Sequence, residues 1–368
     1  MQNPIAIALL ILAAAVIVGV VVLRRLRQRQ VANIARRAPA PAIDRSEDAA
    51  PSSEADTDIP YWTEATEEVA TLCLKHAFSV ARFDYQIFDD HERVLGLVDK
   101  AIEDAAEHQQ YFPRRPLLLP KLLQALNDTD STRQELVRLI LEDPTLAGTA
   151  LKRVNNTFYR MSVQPVESLD RAVVVLGTDG LRSLLSAAIL QPVFRLPKGF
   201  FDRFAEMTWE QAQRSAAGAQ AYAAAVHEQD PFVAQLLGVM RSLATLVLFR
   251  LTLDKYKSFP NVLPRPEVFI RVLQTHRNRL AADIGRTWQL SSASIDALEA
   301  QCREISPTRM SPLGRAVYYG ELSSSIAVAT HHSLYSPEGG KAILIHQGLT
   351  PQFAAEVLLA AQTADVSS

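Results

Sequence analysis

Eight histidines, His76, His91, His108, His227, His276, His331, His332 and His346, are the side chains of this sequence best suited to hold a metal or carry a proton near neutral pH. The residues that follow them are Ala, Glu, Gln, Glu, Arg, His, Ser and Gln, so no His is followed by Asp. Metal-assisted hydrolysis needs imidazoles and carboxylates that converge on an ion and turn its bound water into hydroxide. The pair His331-His332, ahead of Ser333-Leu334-Tyr335, offers two donors. Adjacent residues on a helix point apart, however, and no Cys or His returns at zinc spacing, so an exposed or internally satisfied pair is expected. Gly339-Gly340-Lys341 faintly resembles a phosphate loop, but Ala342 stands where a magnesium-reaching Ser or Thr is needed, and a turn before Ala342 to Ile345 is expected. Cys73 and Cys302 are isolated, which excludes a disulfide framework and suits a reducing compartment.

The elements that must position these residues begin with an anchor. Ile5 to Leu23 are all apolar or Gly, long enough at about 1.5 Å per residue to cross a hydrocarbon core of roughly 30 Å. Arg24, Arg25, Arg27, Arg29, Arg36 and Arg37 follow before any acid, which predicts a single-pass inner-membrane protein with its C-terminal bulk in the cytoplasm. The apolar stretch runs straight into arginines without a small-x-small exit, so an uncleaved anchor is expected over residues 1–37. The chain carries a net charge of −2 and the six arginines contribute +6, leaving −8 for the rest. That charge is a poor footprint for nucleic acid, and none is expected as a partner. The arginines either touch anionic headgroups or only set topology.

Residues 38–60, rich in Pro, Ala, Ser and acids, cannot bury enough apolar surface to order themselves and read as a flexible linker. Beyond them apolar residues recur at three- and four-residue steps. Val69, Leu72, Leu74 and Phe78, then Val94, Leu97, Val98 and Ile102, predict two or three helices over 62–110, within a helical extension at 61–112. Asp143-Pro144 is a cap-and-proline helix start, Ser168 a second cap and Gly177 a helix stop. Phe200, Phe201 and Phe204 read as core or an inter-lobe staple, and no run of alternating strands appears. The class is all-α, a multi-helix bundle behind a single N-terminal transmembrane helix.

The ordered motifs Leu117-Leu118-Leu119-Pro120, Asn127-Asp128, Glu142-Asp143-Pro144, Asn155-Asn156-Thr157-Phe158-Tyr159 and Ala172 with Leu176-Gly177 and Leu181 resemble the HDOD domain, the HD-related output domain. The resemblance places that domain at 113–325, with a C-terminal helical segment at 326–368. It implies a degenerate relative of the HD metal phosphohydrolases, of a kind often found as an output in bacterial signal transduction.

The departures from the family pattern concern the metal ligands. The first His of the pattern falls on Gln211, in Trp209-Glu210-Gln211, and the His-Asp pair falls on Arg241 and Ser242. A later His falls on Arg277, beside His276, and a His-His pair on Gln301 and Cys302. Only the final acid survives, as Glu321 in Gly320-Glu321-Leu322. Arginine at a ligand position repels a divalent cation and is not deprotonated near neutral pH. The resemblance therefore implies no bound metal, no other cofactor and no HD-type hydrolysis. Two readings of Arg241 remain. It either pairs with Glu321 or another acid and fills the vacated space, or binds an anion such as a nucleotide or second messenger. The function expected is a non-catalytic signalling or scaffold module that binds a protein partner, with nucleotide sensing as the alternative and unconventional phosphohydrolysis behind both.

Overall fold

A helix must satisfy the amides of its first turn, and this chain does so with short polar residues ahead of proline. The computed structural model describes residues 59–84, 86–113, 166, 171, 201–226 and 230–364. Asp230 accepts from the Phe232 amide ahead of Pro231, while Ser311, Ser336 and Thr350 cap the helices that open with Pro312, Pro337 and Pro351. Thr63 and Thr66 form a reciprocal capping box. Chain order among the described residues is α1 Glu64–Ala77, α2 Asp90–Glu103, α3 Ala105–Gln109, α4 Asp202–Val226, α5 Pro231–Gly238, α6 Met240–Tyr256, α7 Pro266–Thr287, α8 Ser292–Cys302, a 3-10 turn Pro307–Arg309, α9 Pro312–His331, α10 Pro337–His346 and α11 Pro351–Gln362. All regular structure among these residues is helical, as expected, and α1 to α3 meet the expectation of two or three helices over 62–110.

The predicted span Ile5–Leu23, residues 38–58 of the linker and the motifs between Leu117 and Leu181 lie outside the described residues. One described stretch, Pro231–Tyr256, is long and apolar enough to cross a membrane, but 94% of its most apolar window is buried inside the protein, which is the signature of a core helix. Gly339 and Gly340 do not form the expected turn. They lie in the first turn of α10, because the Ser336 hydroxyl caps the Gly339 amide at 3.1 Å and Pro337 starts the helix. Helix α9 runs uninterrupted through the predicted boundary at residue 325.

The core is built on the crossing of α4 and α9, where small residues let two backbones touch. A Cβ at Gly320 would lie 2.8 Å from both Ser215 O and Ala219 Cβ, and one at Gly218 would lie 2.3 Å from Ser323 Oγ. Helices α5 and α11 also pack on α4, α6 packs on α7, and α8 lies against both α7 and α9. Phe204 stacks on Phe249 at 4.4 Å, and Phe201 meets Phe78 and Phe269 edge-on, so these two phenylalanines do join α1, α4, α6 and α7. The described helices belong to one compact unit, Thr57–Ser368.

Candidate functional site

The α4–α9 crossing decides which polar side chains meet. Glu321 follows the crossing glycine and therefore faces Gln211 on α4, whose Nε2 donates to Glu321 Oε1 at 3.2 Å. Helix α6 restarts at Met240 after a one-residue break at Val239, placing Arg241 in its first turn, and Arg277 sits midway along α7. Both guanidiniums approach the same carboxylate oxygen, Arg241 Nη1 at 3.7 Å and Arg277 Nη1 at 3.8 Å. These are ion pairs too long to be hydrogen bonds. Gln211, Arg241, Arg277 and Glu321 line one cavity of about 360 Å³, together with Asn278 and Ser325.

Two cations share one anion there. Arg241 is 3% exposed, and the two further carboxylates that line the cavity, Glu67 and Glu304, are exposed. Burial pushes the Arg277 guanidinium down, and the adjacent Arg241 adds to this, to a pKa of about 10. Burial acts the same way on Arg241, but the Glu321 charge together with Tyr61, Cys302 and Tyr318 outweighs it and holds Arg241 above its ordinary value. Both are charged at neutral pH. Arg241 Nε, Arg277 Nε, Asn278 Oδ1 and Glu321 Oε2 are buried without hydrogen-bond partners. Each such group costs about 1–3 kcal/mol unless something satisfies it.

The donor set does not suit a divalent ion. No histidine is among the described lining residues, and the one buried carboxylate is already flanked by two guanidiniums. The sequence frame grouped seven positions, and the structure brings four of them to the cavity. Ser242 is buried but does not line it. Gln301 accepts from the Tyr61 hydroxyl at 3.2 Å and donates to Gly314 O at 3.0 Å, filling space behind the site. Cys302 is exposed and lines a different surface depression beside Arg286 and Glu299. Because α8 carries Gln301 and Cys302 on successive positions, the two cannot face one cavity together. His276 bonds Asp99 on α2 at 2.7 Å and also lies outside.

His331 is exposed and His332 is satisfied by Glu210, as expected, but the direction of the two side chains differs from expectation. They do not point apart, because α9 ends at His331 and His332 is its C-cap, with φ −88° and ψ 12°. Their rings stand edge-on with centroids 4.9 Å apart, and His332 Nε2 lies 2.9 Å from Glu210 Oε2. Glu210 was legible only as the neighbour of Gln211. Its meeting with residues more than 120 positions away has no local signal.

Residues 112–303, just over half of the chain, match the HDOD domain family, and the chain belongs to it. No curated protein matches the chain. Among solved structures it resembles an HDOD domain protein of unknown function from Geobacter sulfurreducens, at 18% identity and a TM-score of 0.48 over 74% of this chain and 90% of that one. It also resembles a provisionally named metal-dependent phosphohydrolase of Shewanella amazonensis SB2B, at 14% identity and 0.49 over 74% and 98%. A provisionally named signal transduction protein of Marinobacter aquaeolei VT8 shows 19% identity and 0.47 over 74% and 66%.

Proposed function

We propose that this HDOD protein is a non-hydrolytic signalling module, held at the inner face of a membrane by residues 5–23, whose cavity binds a compact anionic ligand such as a nucleotide. Output passes to a protein partner through the helical surface, as the family's role in bacterial signalling suggests. One observation carries the reading: one buried and one part-buried guanidinium share a single carboxylate in a cavity that they do not fill. The simpler alternative, in which Arg241 pairs with Glu321 and occupies the space, accounts for one cation and leaves Arg277 over. Guanidinium forks are suited to phosphate and carboxylate oxygens, and the unsatisfied Nε atoms supply donors for them. The expected metal ligands are replaced at Gln211, Arg241, Ser242, Arg277, Gln301 and Cys302, so the chain has no HD-type hydrolytic centre.

Thermal unfolding of the full chain with a panel of nucleotides and cyclic dinucleotides tests this. A ligand at one hundred times its Kd should stabilise by about 2.7 kcal/mol, and Arg277→Ala should remove that gain. A chain that hydrolyses phosphodiesters with manganese or iron, and loses the activity in Glu321→Ala, sinks the reading. Absence of any ligand-dependent shift leaves partner binding as the sole output.

A further inference from the structure

At the far end of α9 from its capped start, three side chains from two helices converge outside the arginine cavity. Glu210 on α4 is largely buried, and its Oε1 is held by Arg214, with Nη2 at 2.7 Å and Nε at 2.8 Å. Arg214 is itself fixed by donating to Ala361 O and Gln362 O at the end of α11. The carboxylate is therefore oriented from behind, with Oε2 turned to His332 Nε2. One ligand atom each from Glu210, His331 and His332 lie within 4.8 Å of one another. A third imidazole, His76 on α1, packs on His332 with ring centroids 4.5 Å apart.

We propose that Glu210, His331 and His332 form a binding site for a divalent transition metal, zinc in the first instance, with His76 or water completing the coordination. Two imidazoles and one carboxylate are a three-ligand set that zinc accepts with a fourth position open. Bonds of about 2.0–2.2 Å put tetrahedral ligand atoms roughly 3.3 Å apart, close to the present His332–Glu210 separation. His331 is exposed at the helix end and free to close the remaining distance. Binding needs the Nε2 lone pair of His332, so a neutral ring carries its proton on Nδ1 and an imidazolium gives one proton to solvent, while Glu210 Oε2 turns from the imidazole to the ion. The grip of Arg214 on Oε1 is the outer contact that orients such a ligand. Its charge also opposes the ion, so moderate rather than extreme affinity is expected. The site would clamp the end of α9 to α4 and, through His76, to α1.

The test uses the full chain, without an added histidine tag, freed of metal by chelation. Titration with cobalt should give the visible absorption of a tetrahedral nitrogen and oxygen site at one ion per chain, and zinc should bleach it. His331→Ala, at an exposed position, should weaken zinc binding at least tenfold while leaving the metal-free far-UV spectrum and unfolding midpoint unchanged. His332→Gln, which keeps a polar partner for Glu210, should do the same. No stoichiometric uptake, or uptake unchanged in both variants, overturns the assignment.

Discussion

At the residue scale the arginine pair is asymmetric in what each member's loss should do. Glu321 is the only buried carboxylate between Arg241 and Arg277 among the described residues lining the cavity. Replacing it leaves the buried Arg241 and the part-buried Arg277 repelling each other without compensation, and breaking a buried pair from one side costs about 3–5 kcal/mol. Glu321→Gln should therefore lower stability by about 3 kcal/mol in urea denaturation, the lower figure because Arg277 retains some solvent contact. Arg277→Gln should cost about 1 kcal/mol or less, since it leaves Arg241 and Glu321 matched one to one. Equal losses in the two variants would show that the surplus cation is not a burden on the fold.

At the element scale, the glycines separate close approach from mere permissiveness. Gly320 has backbone atoms of α4 within 2.9 Å of where a Cβ would stand, and backbone cannot move aside as a flexible side chain can. Gly96, on the exposed side of α2, has nothing within 4 Å. Helix propensity favours Ala over Gly by about 1 kcal/mol at both positions. Overpacking costs about 1–3 kcal/mol, and more when backbone must shift. Gly96→Ala should then stabilise by about 0.5–1 kcal/mol, whereas Gly320→Ala should destabilise by at least about 1 kcal/mol and reopen the contact that sets Glu321 beside Gln211. Paired urea midpoints and amide exchange along α9 would check both signs. The sequence shows the same residue at each site, and only the crossing of α4 and α9 distinguishes them.

At the scale of the whole molecule, packing of the N-terminal helices on α6 and α7 introduces a pH dependence. The Arg265 amide donates to the Tyr256 hydroxyl, and that hydroxyl lies 2.9 Å from His91 Nδ1, an arrangement suited to a neutral imidazole that accepts. Burial, then the Arg265 charge, holds His91 below its ordinary pKa, against the opposite pull of Asp89, Asp90 and Glu267. A histidine whose folded pKa is depressed adds stability above its unfolded value of about 6.5 and loses it as pH falls through the lower folded value. Stability should decline on acidification from pH 7 to 5, and His91→Gln should flatten that decline, as read from urea midpoints across the range. A slope that steepens in the variant would reverse the sign assigned here. Much of this architecture was legible beforehand, for local reasons. Four-residue apolar steps such as Val94, Val98 and Ile102 foretell a helix because its periodicity is local, and all three are buried on α2. The motif frame also pointed to Gln211, Arg241, Arg277 and Glu321. It could not separate these from Ser242, Gln301 and Cys302, because the direction of a side chain depends on how its helix is rotated against neighbours far away in sequence. The same limit hid Glu210 beneath His332 and turned a glycine pair into the start of α10. The sequence by itself determined the helical class, the HDOD frame and the charge at each position, since composition, periodicity and motif order are properties of the chain. Only the tertiary structure decided that two arginines meet one glutamate in an unfilled cavity, and that two adjacent histidines meet another, because contacts across more than forty residues follow from packing rather than from local preference.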